Sequence, residues 1–167
     1  IKKDKDIYAL LNVAGVASMN LLLSTPEETV RNIVNTNLIG TIFCTREIIP
    51  AFVRSKAGRI INFSSLAVKI GLQGESVYVA SKAGVEGFSR SIARELASFN
   101  VTVNCISPGP VKTRLTEKVP KTYIDKVMQQ QIMTDQCTEE DILNCVKLIL
   151  DSKSDKITGE NFIIGGF

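Results

Sequence analysis

Four short apolar runs, each closed by turn residues, constrain this chain more than any other feature: IYALLNVAG (7–15), GRIINFSS (58–65), VTVNCISPG (101–109) and NFIIGG (161–166). Each is nearly continuous in apolar residues rather than alternating, as expected of strands in a parallel sheet covered on both faces. The segments between them read as helices. Thr25-Pro26-Glu27-Glu28 is a helix start, with Thr25 as N-cap, Pro26 at the first helical position and Glu28 reaching back as a capping-box partner. That helix should run to about Ser55, with Pro50 kinking it or ending it early. A second covers 76–98, and a third begins at Thr138, where Glu139, Glu140 and Asp141 complement the helix dipole, and ends near Asp151. The strand–helix alternation predicts an α/β fold, a doubly wound parallel sheet of about four strands with flanking helices. With 167 residues, 44% of them apolar, the chain can bury one sizeable core but not two, which predicts a single domain over 1–167.

Composition narrows the chemistry. The chain has no histidine, which removes Ser-His-Asp and Cys-His catalysis and every His-ligated metal site. Cys44, Cys105, Cys137 and Cys145 show no C-x-x-C spacing and sit in apolar segments, so they are expected to be buried, reduced thiols of a cytoplasmic protein. The net charge is +3 and the lysines are scattered, Lys2, Lys3 and Lys5 excepted. No basic stripe of the kind that binds nucleic acid results. No apolar run approaches a membrane span and no secretory signal opens the sequence, so no membrane association is expected.

In an open α/β sheet, ligands bind outside the carboxyl ends of the strands. Here those ends are Gly15, Ser64-Ser65 and Ser107-Pro108-Gly109, which gathers small polar residues at one edge. Tyr78 and Lys82, at i and i+4, share one face of the second helix, with Tyr78 in its first turn. A cation and a helix N-terminus both favour the phenolate, so the pair could lower the pKa of the phenol and make it a general acid/base. Among three tyrosines, one Y-x-x-x-K carries little weight alone. Ser65 stands thirteen positions earlier, joined by a loop that could fold its hydroxyl back toward the phenol to hydrogen-bond a carbonyl oxygen. Alone it would read as a strand-ending turn, and Asn37, inside a helix, as a solvated or back-bonding side chain.

Taken in order, LLNVAG, NTNLIGT, GRIINFSS, YVASK, VTVNCISPGPVKT and ITGENFIIGG resemble the short-chain dehydrogenase/reductases over essentially the whole chain, most closely the 3-oxoacyl-acyl-carrier-protein reductases. The resemblance implies a Rossmann-like sheet, of which this chain is the C-terminal part, and an oxidoreductase using NADP or NAD. It makes Tyr78 the acid/base and Ser65 the partner of the carbonyl oxygen. Lys82 would hold the nicotinamide ribose and depress the phenol's pKa, and Asn37 would anchor a proton-relay water. Asn12, Ala14 and Gly15 match the motif that supports the sheet and lines the adenosine side of the cofactor. Pro108, Gly109, Val111 and Thr113 match the segment that meets the nicotinamide carboxamide. The implied substrate is a small-molecule or acyl-carrier-bound carbonyl, and the implied assembly a homodimer or homotetramer through the 26–54 and 76–98 helices. Ala83, Gly84, Gly87, Ser91 and Ala97 would allow close approach there.

One departure stands against these matches. The family's Gly-rich turn, T-G-x-x-x-G-x-G, has no counterpart, and none of the eleven glycines forms a G-x-G-x-x-G. Counted against the family's order, the chain starts at the fourth strand. It therefore reads as the catalytic portion of a longer enzyme, with a catalytically silent binding or scaffold subunit as the rival, and its first strand is expected to present an open edge. The long stretch from Pro110 to Gln136, carrying Leu115, Val119, Met128, Ile132 and Met133, is expected to contain a short helix near 120–131. It should cover the substrate with an adaptable, methionine-rich wall.

Overall fold

The sheet consists of four parallel strands in chain order, β1 (Ala9–Asn12), β2 (Gly58–Phe63), β3 (Val101–Pro108) and β4 (Asn161–Ile164). The computed structural model describes residues 7–113, 115–117 and 119–167, so the Lys2, Lys3 and Lys5 cluster lies outside the described residues. Register brings Asn12 opposite Asn62, Asn62 opposite Cys105, and Cys105 opposite Asn161. Among the described residues β1 pairs with β2 alone, leaving its other edge open, with Leu11 and Val13 exposed beside it.

Neighbouring residues of one strand feed opposite faces. Ile60, Val101 and Val103 pack against Ile48 and Phe52 of helix α2 (Gly40–Ser55) and Ile92 and Leu96 of α4 (Ser76–Leu96). Ile61 and Ile106 pack the other way, against Cys145, Val146 and Ile149 of α6 (Glu139–Leu150). This two-sided burial is the reason the strands carry no hydrophobic–polar alternation.

Three helical details differ from the expectation. Thr25 does not cap α1 (Glu27–Val34); Pro26 occupies the cap, and the Thr25 hydroxyl donates instead to Leu21 O at 3.0 Å, within a preceding tight turn. With Thr25 so engaged, no capping box forms with Glu28. The box does form on α6, where Thr138 and Asp141 bond reciprocally. Pro50 neither ends nor breaks α2, which runs to Ser55 and stops at Lys56 in a left-handed conformation. Pro50 and Arg46 both face solvent, so water can satisfy the carbonyl that the missing N–H leaves free. Asn35–Ile39, between α1 and α2, is a π-helical segment that turns Asn37 fully inward.

The cysteines divide: Cys105, Cys137 and Cys145 are buried as expected, whereas Cys44 lies on the outer side of α2 and is exposed. A short helix, α3 (Ala67–Ile70), occupies the expected loop between Ser65 and Tyr78, and α5 (Lys121–Met128) occupies the long connection after β3.

At the start of β2, Gly58 admits the Phe52 ring against its backbone. A Cβ there would lie 2.5 to 2.9 Å from three ring carbons of a side chain with no exposed surface. Gly58→Ala should therefore lower the unfolding free energy by about 1–3 kcal/mol, read from the urea midpoint. An unchanged midpoint would show that the ring has room to move.

Candidate active site

A cavity of about 800 Å³ opens at the carboxyl ends of β1, β2 and β3. Its walls include Ala14 and Gly15 after β1, Ser64 and Ser65 after β2, and Pro108, Gly109, Val111 and Thr113 after β3, with Tyr78 and Lys82 entering from α4. These are the expected residues, with two exceptions. Asn12 does not line the cavity: its amide donates to Asn62 Oδ1 at 2.7 Å and Thr45 Oγ1 at 3.2 Å, tying β1 to β2 and α2 from behind. Asn37 also stands behind the wall. Its Oδ1 accepts from Val16 N at 2.8 Å, and its Nδ2 donates to Val16 O at 2.9 Å and Ser81 Oγ at 3.0 Å. The solvated or back-bonding side chain that its helical position suggested is thus absent. The π-helical segment directs it inward, where its amide satisfies three partners.

Gly15 gives Lys82 its place. A Cβ at Gly15 would come within 3.3 Å of Lys82 Nζ and 3.4 Å of Asn37 Oδ1, so only a bare backbone leaves both groups undisturbed. Lys82 Nζ donates to Phe63 O at 2.8 Å, at the end of β2, and stands 5.9 Å from the centre of the Tyr78 ring. Ser64 is held by Glu86 one turn further along α4, its Oγ donating to Glu86 Oε1 at 2.7 Å. Neighbouring Ser65 accepts from Ala67 N at 3.2 Å.

The electrostatics depart from the sequence expectation. Burial pushes the Tyr78 phenol above its ordinary value; a hydrogen bond with Ser65 partly offsets this, and the nearby Glu75 carboxylate adds to it. Burial likewise pulls Lys82 down to about 8. The cation is near the phenol, but burial is the largest influence on both groups, so the phenol keeps its proton at neutral pH.

The connection after β3 lines the cavity with two of the expected side chains, Leu115 and Val119, and with Ile124 and Val127 in place of Met128, Ile132 and Met133. Ile132 and Met133 are exposed. The segment is fixed at its far end by Gln131, whose buried amide enters the space left by Gly109 and Gly165. A Cβ on Gly165 would lie 2.0 Å from Gln131 Nε2. Both amide atoms are buried there without a hydrogen-bond partner among the described residues. Gln131 sits in a run of three glutamines with nothing in the sequence to distinguish it, and Glu75, which lines the cavity beside Tyr78, likewise carries no motif.

A family model described as enoyl-(acyl carrier protein) reductase matches residues 1–166. The chain belongs to the short-chain dehydrogenase/reductase family. Among relatives in this family, the 3-oxoacyl-[acyl-carrier-protein] reductase of Staphylococcus epidermidis is 34% identical over 160 residues, covering 96% of this chain and 66% of that protein. The same-named protein of Buchnera aphidicola is 32% identical over 169 residues, covering 99% and 68%. The chain thus spans about two thirds of the length of these relatives. A 4-hydroxyisoleucine dehydrogenase structure complexed with NADH superposes with a TM-score of 0.87 at 29% identity, covering 95% of this chain and 67% of that one.

The depressed lysine has a consequence for stability. Unfolded, Lys82 keeps its proton up to about 10.5; folded, up to about 8. Between these values the unfolded chain binds more protons, so stability rises with pH, and below them the full penalty of burying the charge remains. Cys105, raised from 9.0 to about 11, acts oppositely at the alkaline end. The unfolding free energy of wild type minus that of Lys82→Met should therefore rise with pH between about 8 and 10.5, by at most about 1.4 kcal/mol per unit. A difference independent of pH would contradict the assignment.

Proposed function

We propose that residues 1–167 form a single, partial catalytic domain of an NAD(P)-dependent oxidoreductase interconverting a carbonyl and a secondary alcohol. The substrate would be a small-molecule or acyl-carrier-bound carbonyl, as the names of the reductase relatives suggest. The observation carrying this reading is the joining of Tyr78 and Ser65 on the wall of one cavity, with the Lys82 ammonium beside the phenol.

A nicotinamide cofactor fits the residues present at its reactive end. The bare backbone at Gly15, next to Lys82 Nζ, and the small residues Ala14, Pro108 and Gly109 leave room for a flat ring and a ribose against the strand ends. Val111 and Thr113 would meet the carboxamide, Lys82 the ribose, and Ala14 and Gly15 the adenosine side, with Asn12 supporting the sheet behind. None of the eleven glycines forms a G-x-G-x-x-G turn, so no pyrophosphate-cradling turn is assigned to these residues.

When bound, the cofactor supplies the hydride. Ser65 hydrogen-bonds the carbonyl oxygen, and Tyr78 donates its proton to it, a direction that suits a phenol held protonated by burial. Lys82, with a pKa of about 8, returns a proton from the small space it shares with Asn37 Oδ1 beside Gly15, where a relay water would sit. The rival reading, a silent binding or scaffold subunit, leaves the Tyr78–Ser65–Lys82 arrangement without a use.

Assembly as a homodimer or homotetramer would use the outer faces of α2 and α4. Phe43 is exposed there and Gly87 has open space where a side chain would stand. Gly84, by contrast, serves the chain's own packing, since a Cβ there would meet Leu38 at 2.9 Å. Four free thiols fit a cytoplasmic setting. No helix among the described residues is long and apolar enough to cross a membrane.

Tyr78→Phe should lower kcat by about 10²–10⁴-fold with cofactor Kd nearly unchanged. Lys82→Ala should harm both kcat and cofactor Kd. Steady-state rates of the full chain with NADH and NADPH, together with fluorescence titration of the cofactor, read these effects. Wild-type kcat in Tyr78→Phe would refute the role.

A further inference from the structure

Glu75 is a carboxylate in a place where the fold does not need one. It immediately precedes α4, three residues before Tyr78, and its side chain makes no cap on that helix. It takes no side-chain hydrogen bond and no ion pair among the described residues. Instead it is half-buried in the cavity wall with Tyr78 and Ser65, opposite the apolar side chains of the covering segment. Tyr123 of α5 closes the same side, its hydroxyl donating to Gln73 O at 3.1 Å. The negative charge of Glu75 reaches both phenols, raising the pKa of Tyr78 and of Tyr123. The other charged residue of the described wall, Lys82, already donates to Phe63 O. Glu75 is therefore a charge beside the reacting phenol with no partner described in the protein, in a cavity of ordinary ligand size whose remaining wall is mostly apolar.

We infer that Glu75 is a specificity residue, and that the preferred substrate is a small carbonyl compound, or its alcohol, carrying a protonated amine close to the reacting carbon. The inference rests on the reading of Tyr78 as proton donor. A partly desolvated carboxylate attracts an ammonium group far more strongly than it would in water and repels a carboxylate equally. A neutral ketone of the same shape gains nothing from it and leaves Glu75 without a partner. Within the carbonyl class, this favours amino ketones over keto acids and over thioesters whose reacting end bears no cation.

Three six-membered ketones of similar size provide the test: N-methyl-4-piperidone, cationic near neutral pH, 4-methylcyclohexanone, neutral, and 4-oxocyclohexanecarboxylate, anionic. Their Kd values are measured by calorimetry on the full chain with the oxidised cofactor, under which the ketones are not reduced. Wild type should bind the cation at least tenfold more tightly than the neutral ketone and the anion most weakly, and Glu75→Gln should bring the cation-to-neutral ratio close to one. Equal affinity for the three ketones in wild type, or a ratio unchanged in Glu75→Gln, overturns the inference. Binding and turnover separate the two readings: charge preference in Kd without reduction of any ketone by NADH or NADPH would count against Tyr78 as proton donor and leave Glu75 as a cation site. Turnover without charge preference would do the reverse.

Discussion

The site depends on a single buried amide. Asn37 has no exposed surface, and its three hydrogen bonds join the chain leaving β1, through Val16, to α4, through Ser81. The π-helical segment carrying it is a local departure from α-geometry that a helix tolerates where the inserted side chain gains enough bonding. Removing that amide would leave the Val16 N–H and C=O, both partly buried, without these partners, at about 1–3 kcal/mol for each unsatisfied group. Gly15 and its neighbour Lys82 would lose their common boundary as well. The wall of the cavity is thus held from behind by residues that never enter it, Asn12 and Asn62 in the sheet and Asn37 in the helix.

Burial at the site acts in two directions. It withdraws Tyr78 and Lys82 from water, which raises the proton affinity of the phenol and lowers that of the lysine, so the phenol holds its proton the more tightly of the two. A proton passing from the lysine to a phenolate therefore runs downhill. The same dryness makes a lone carboxylate such as Glu75 influential across the cavity. A charge change at Glu75 would be felt by Tyr78 and by Tyr123.

Much of this was legible before the fold was known. The apolar runs gave the strands because burial on both faces leaves a mark at every position, and Ile60 and Ile61, adjacent in sequence and opposite in space, show why. Spacing could bring Tyr78, Lys82 and Ser65 together on a helix face and a strand end, and the resemblance of the ordered motifs singled them out. Other features depended on competition that no local pattern records. Thr25 had two sets of partners available and took those of the preceding turn. Pro50 was tolerated because its missing bond faces water, a fact of orientation rather than sequence. Gln131 and Glu75 act through distant partners, Gly109, Gly165 and the two phenols, and so left no trace in their own neighbourhoods.

The placement of α6 opposite α2 and α4 settles a matter of chirality. The strands advance across the sheet in one direction, β1 to β4, so a connection that passes over the other face has the other hand. Parallel crossovers are right-handed almost without exception, because strand twist and helix hand favour it. The last crossover therefore runs against a strong preference that its two predecessors follow. A short linker could not easily do so, whereas the connection that leaves β3 at Pro108 travels through α5 and the Gln131 anchor before α6 begins at Glu139. The length of chain that covers the cavity is thus the same length that lets the backbone reverse its hand, and an insertion or deletion there would act on topology as well as on the ligand.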